Sequence, residues 1–181
     1  RRPRVEHAQH LTPQNMKRFN ADGVIASMQP TSIYDDATWA YKRVNDSVLE
    51  GTYIFRSLLD DGTTLTFGSD WTVTSLDPLM GIYTAVTRRS RDGKNPDGWY
   101  PDEKITVEEA LRCYTINNAY AGFQEDKLGT LETGKLADFV VLSKDLRVIN
   151  PDDILKTKVV RTVVGGKDVY VQPEIKDRTW H

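Results

Sequence analysis

The chain has 181 residues, 39% of them hydrophobic and 28% charged, with a formal net charge of −2, which is the balance of a globular protein with one sizeable core. A pI near 5.9 gives no electrostatic footprint for nucleic acid or for an anionic membrane. No apolar run approaches the roughly 20 residues that span a bilayer, and Arg1-Arg2-Pro3-Arg4 lacks the apolar stretch of a signal peptide. The single cysteine, Cys113, excludes an internal disulfide, so a reducing, cytoplasmic setting is the expectation. The chain opens without Met and almost at once in a strand, as a piece of a longer polypeptide would.

In chain order, Val5 to Ala8 reads as a short buried strand, and Thr12-Pro13 as a helix cap with proline at the first helical position. The helix runs to about Asp22, where Asp22-Gly23 breaks it. Val24-Ile25-Ala26-Ser27-Met28 is an apolar run of the kind covered on both faces of a parallel sheet. Residues 31–50 read as a long loop with a helical turn or two, and Thr52 to Asp61 as a helix with Ile54, Phe55, Leu58 and Leu59 on one face. Leu65-Thr66-Phe67 is a third strand, leading into Gly68-Ser69-Asp70. Strand and helix have then alternated three times, the signature of a parallel sheet with right-handed crossovers.

Further on, Asp77-Pro78 caps a helix bearing Leu79, Ile82, Tyr83 and Val86, and the cations at 88, 89 and 91 read as its solvated end. Thr106-Val107-Glu108-Glu109 is a capping box for a helix through about Tyr114, with Cys113 as a packed core thiol. After Phe123 the texture becomes β-rich. Strands are expected at Phe139–Leu142, 157–164 and 167–171, the last two joined by the tight turn Gly165-Gly166. A boundary near Gly129 divides the chain into 1–128 and 129–181.

Three strand ends carry polar groups: Glu6-His7, Gln29 and Ser69-Asp70. In parallel α/β folds such ends face the site. Imidazole and carboxylate are what a hydrolytic Zn²⁺ site requires, and a carboxylate beside the attacking water can take its proton. One His and one Asp fall short of the roughly three protein ligands of a catalytic zinc. On residue type alone, His7 reads more readily as a hydrogen-bonded structural residue than as a ligand, and Asp70 equally as the cap of a following helix. His10 reads as a loop residue and His181 as a terminal one. Trp39, Trp71 and Trp99 read as core or pocket wall, with Trp71 best placed to touch a substrate.

The runs Arg4-Val5-Glu6-His7-Ala8-Gln9, Ser27-Met28-Gln29-Pro30, Phe67-Gly68-Ser69-Asp70-Trp71 with Val73, and Gly129 to Asp138 occur in that order. Together they resemble the C-terminal half of the amidohydrolase superfamily, in the branch of the YtcJ-like proteins and N-substituted formamide deformylase. The resemblance covers Arg4 to about Val171. It implies an α/β fold class: the C-terminal part of a TIM (β/α)8 barrel, about three strands and their helices, plus a small β-sandwich segment.

The resemblance also implies a metal-dependent hydrolase of carbon–nitrogen bonds in a small-molecule amide or N-substituted formamide, using one or two divalent ions, Zn²⁺ or similar. His7 ends the sixth strand and ligates the second metal or contacts substrate. Asp70 ends the eighth, ligates the first metal and accepts the proton of the metal-activated water, while Gln29 and Trp71 bind substrate. Gly134 to Asp138 is structural. Ser32 stands where relatives commonly carry a histidine. The family's His-x-His pair, bridging carboxylate and fifth-strand histidine belong before Arg1, so the expected partner is the N-terminal half of the same protein and the isolated piece is expected to be inactive. Oligomeric state, homo-oligomer included, is left open. Two alternatives are a metal-free binding or assembly protein of the same fold and a self-contained small α/β domain.

Overall fold

The computed structural model describes residues 1–173. Its first sheet has three parallel strands in the order β1 (Arg4–Glu6), β2 (Ile25–Met28) and β3 (Leu65–Phe67). Helix α1 (Pro13–Ala21) connects β1 to β2; α2 (Ser32–Asp36), α3 (Asp46–Leu49) and α4 (Phe55–Asp60) connect β2 to β3. The expected alternation is therefore present. Local chemistry starts α1 as anticipated: the Thr12 side chain accepts from Asn15 N at 3.2 Å, and Pro13 needs no partner for a missing N–H.

The register aligns Glu6 with Ser27 and Ser27 with Thr66. Because side chains alternate across a strand, these three share one face, while Ala26, Met28, Leu65 and Phe67 point to the helices. That helix-side face is the core. Met28, Phe55, Leu58 and Leu65 are fully buried, and the Phe67 ring lies 5.0 Å from that of Phe55 and 5.6 Å from that of Tyr114. Each such side chain contributes about 1.5–3 kcal/mol through burial.

Helix α5 (Pro78–Thr87) is capped by Asp77, whose Oδ1 accepts from Leu79 N at 2.9 Å. Helix α6 (Val107–Tyr114) starts at a complete capping box: Glu109 N donates to Thr106 Oγ1 and Thr106 N to Glu109 Oε2. Arg56 then ties α4 to α6 through Glu109 at 2.7 Å. Cys113 is buried, and burial pushes its thiol up to about 12, far from thiolate reactivity. A separate helix α7 (Ile116–Ala121), which the sequence pattern did not set apart, follows a backbone break at Thr115. Its Asn117 and Asn118 amides donate to the Leu65 and Phe67 carbonyls at 2.8 and 2.9 Å, satisfying one edge of β3.

The second sheet is antiparallel, in the order β4 (Phe139–Leu142), β5 (Val159–Val164), β6 (Lys167–Val171). Gly165 and Gly166 turn the β5–β6 hairpin with φ of 57° and 76°, values a side chain would resist. Asp138 Oδ1 accepts from Gly165 N at 2.6 Å, so the Gly-Lys-Leu-Ala-Asp stretch braces this turn. The described residues form one sheet here and not a two-layer sandwich. A short 3-10 helix, Pro151–Lys156, seats the wholly buried Ile154 against α5.

Two expectations are corrected. Helix α4 begins at Phe55 and not at Thr52, because Tyr53 takes a left-handed backbone with φ 52°. The cation cluster after α5 is not solvated throughout: Arg88 is completely buried, since its own φ of 53° ends the helix and turns the side chain inward.

Candidate functional site

The polar face of the parallel sheet opens into a cleft of ≈ 650 Å³. Its walls include Glu6, His7, Ser27, Gln29 and Asp70, with Asn118 of α7 closing one side. The structure therefore brings His7, Gln29 and Asp70 together at the C-terminal ends of β1, β2 and β3. His7 and Asp70 are exposed, whereas Gln29 is buried at 8%.

The backbone explains how the side chains reach the opening. His7 has φ 68°, Ala8 φ 41° and Asp70 φ 54°, all left-handed. A non-glycine residue held there stores strain that its surroundings must overrule. The short strand β1 ends at Glu6, two residues before the expected Ala8, because His7 and Ala8 leave the extended conformation. Asp70 sits in a tight turn, with Val73 N donating to its carbonyl at 2.7 Å. The next helix cap is Asp77, so Asp70 is not a helix cap. No hydrogen bond or ion pair engages the Asp70 carboxylate among the described residues.

Gln29 Oε1 lies 2.8 Å from His7 Nδ1. With Oε1 accepting, the proton resides on Nδ1, and Nε2 of the neutral ring keeps its lone pair for a ligand. This is the arrangement by which neighbouring groups orient metal-binding histidines. On the same cleft, Ser27 donates to Glu6 Oε2 at 2.6 Å and Arg4 Nε lies 2.5 Å from Glu6 Oε1. The Ser27 hydroxyl, then Arg4, hold the Glu6 carboxyl below its ordinary value against a partial desolvation. Glu6 thus stays an anion engaged by its neighbours.

Other candidates fall elsewhere. Trp71 is 62% exposed and lines a neighbouring cleft with Thr31, Val73 and Met80. Trp39 is 42% exposed, not core, and Trp99 packs edge-on to Tyr53. His10 is a loop residue whose Nδ1 lies 2.8 Å from Thr52 Oγ1. His181 lies outside the described residues. Ser27 and Asn118 were not singled out in the sequence. Ser27 was legible in principle from its register beside Glu6; Asn118 had no signal, because its placement depends on the break at Thr115.

Neutral imidazole nitrogen and carboxylate oxygen suit a divalent ion, and both face one opening. Among the described residues no group of three or more His, Cys, Asp or Glu is gathered for metal binding. His7 and Asp70 fit as part of a donor set.

Comparison with known proteins identifies the family. The Amidohydro_3 model, described as the amidohydrolase family, matches residues 1–170. The chain is 41% identical over 171 residues to Protein LONG AFTER FAR-RED 3 of Arabidopsis thaliana, covering 94% of this chain and 29% of that protein. It is 30% identical over 170 residues to the putative amidohydrolase YtcJ of Bacillus subtilis, covering 94% of this chain and 32% of that one. N-substituted formamide deformylase of Arthrobacter pascens is 36% identical over 111 residues, 61% of this chain and 20% of the enzyme. The crystal structure of an uncharacterized metal-dependent hydrolase from Pyrococcus horikoshii superposes with TM-score 0.73 at 26% identity, covering 82% of this chain and 30% of that chain. The chain thus spans about a third or less of these proteins. Matched along nearly its whole length, it belongs to the amidohydrolase family.

Proposed function

We propose that the protein is a divalent-metal-dependent hydrolase of non-peptide carbon–nitrogen bonds, in amides or N-substituted formamides, and that this chain supplies one side of its site. The observation that carries the reading is that His7, Gln29 and Asp70 line one cleft, with Gln29 Oε1 2.8 Å from His7 Nδ1. The relative named as a formamide deformylase supports the substrate class, and the Pyrococcus metal-dependent hydrolase supports the cofactor. On this reading β1, β2 and β3 are the sixth to eighth strands of a (β/α)8 barrel, the sheet of β4, β5 and β6 is one layer of a sandwich completed by the rest of the protein, and the remaining ligands come from there too. A reducing, cytoplasmic setting fits the buried lone Cys113.

His7 Nε2 and the Asp70 carboxylate would hold one or two ions, with Zn²⁺ suited to that nitrogen and oxygen pair. When bound, the ion supplies Lewis acidity, polarising the carbonyl and easing ionisation of the attacking water. Asp70, exposed at the mouth of the cleft, takes the proton from the water and returns it to the leaving amine. Gln29 holds the His7 ring in its orientation, and Trp71 shapes the approach.

The test uses the intact protein. Asp70→Asn is expected to lower turnover of formamide and amide substrates by about 10²–10⁴-fold, the usual worth of a positioned proton acceptor; undiminished turnover contradicts the mechanism. Elemental analysis is expected to find about one or two divalent ions per chain. A metal-free protein would favour the binding-protein alternative.

A further inference from the structure

Arg88 has no obvious reason to be inside. Its side chain is completely buried, burial lowers its pKa to about 10, and no carboxylate pairs with it by hydrogen bond among the described residues. It spends its donors on main-chain carbonyls: Nε on Trp99 O at 2.6 Å and Nη1 on Tyr53 O at 2.8 Å, with Nη2 unpartnered among the described residues. The Phe55 ring lies 5.6 Å and the Trp99 ring 6.0 Å from its guanidinium carbon, a cation–π setting. A buried cation is costly, so the contact with Tyr53 calls for an explanation beyond packing.

That explanation lies one step further on. Tyr53 is itself held in a left-handed conformation, and its hydroxyl donates to Asp36 Oδ2 at 2.7 Å. Gln9 Nε2 donates to the same oxygen at 2.8 Å. The backbone repeats the connection: Tyr53 N donates to Gln9 O at 3.0 Å and Leu11 N to Gly51 O at 2.8 Å. Gly51 permits this approach, since a Cβ there would stand 1.8 Å from Leu11 O. Residues 9–11 are therefore clamped to residues 51–53, two positions after His7 and across the strained His7-Ala8 pair.

We propose that the chain Arg88–Tyr53–Asp36 is a positioning device that fixes the His7 side of the cleft. It touches neither the cleft nor any reacting atom; it acts by holding the backbone from which His7 projects. The inference rests on reading His7 as a site residue, but its first measurement does not depend on activity.

Hydrogen exchange in the intact protein reads the clamp directly through the Leu11 and Tyr53 amides. Tyr53→Phe keeps the ring and removes the hydroxyl, and Arg88→Lys keeps the charge but not the forked geometry. In both, exchange at Leu11 and Tyr53 is expected to rise about tenfold, the loss of one hydrogen bond to a charged or polar acceptor. Exchange at Ala26 and Val163 should stay at the wild-type rate. With formanilide as probe, kcat is expected to fall about tenfold while KM moves less than about twofold. Unchanged exchange at Leu11 and Tyr53, or an equal rise at Ala26, overturns the proposal, the latter because it marks general destabilisation. If the wild-type protein hydrolyses no formamide, the functional reading fails, and the exchange result still decides whether the clamp exists.

Discussion

The two sheets bend their chains by different means. Among the described residues, all seven non-glycine residues with positive φ precede Gly129: His7, Ala8, Tyr53, Asp70, Arg88, Tyr100 and Phe123. After it, only glycines take such values, at Gly129, Gly134, Gly165 and Gly166. The antiparallel sheet turns at the residues best suited to turning, and exposes much of its apolar side, with Val169 62% exposed. The parallel sheet forces side-chain-bearing residues into strained conformations at its strand ends and packs a dense core behind them. Three of the seven, His7, Ala8 and Asp70, lie just beyond the ends of β1 and β3, where strain backed by a rigid core is how a fold presents reactive groups.

The largest effect separates the two regions by stability. Phe55→Ala removes a fully buried ring packed against Phe67 and Arg88, and is expected to cost about 3–5 kcal/mol in urea denaturation of the intact protein. Val169→Ala on β6 should stay within about 0.5 kcal/mol. Comparable losses would break the contrast.

A second variant sharpens it at Asp70. Asp70→Gly relieves a left-handed backbone at the expense of a more flexible unfolded chain, so stability is expected within about 1 kcal/mol of wild type. Turnover should fall by about 10²–10⁴-fold. A stability loss well beyond that, with activity kept, would assign Asp70 a structural role.

The smallest effect is in pH dependence. Glu6 has its folded pKa depressed, chiefly by the Ser27 hydroxyl, so its contribution is present above the ordinary carboxylate value and is lost as pH falls through the folded value. Ser27→Ala should therefore lower the melting temperature slightly at neutral pH, with a difference that fades as Glu6 protonates in acid. A pH-independent difference would show that Ser27 acts through packing alone.

Much of this was legible in the sequence because it is local. Thr12-Pro13, Asp77-Pro78 and the Thr106–Glu109 box set helix starts within a few residues, and the apolar run ending at Met28 gave its strand directly. The polar strand ends at residues 7, 29 and 70 were visible for the same reason, and the order of four motifs pointed to the family. What escaped depends on distant partners. Arg88 reads as a solvated helix end until Tyr53, 35 residues earlier, and Trp99, 11 later, present their carbonyls. The left-handed turn at Tyr53, which shortens α4, is set by a clamp to residues 9–11 that no periodicity announces.

The most direct measurement is anomalous diffraction from crystals of the intact protein grown with Zn²⁺. The account predicts density about 2.0–2.2 Å from His7 Nε2 or an Asp70 carboxylate oxygen, in a cleft that both side chains share with Gln29. Zinc bound away from both residues, or His7 and Asp70 found in separate cavities, would contradict it.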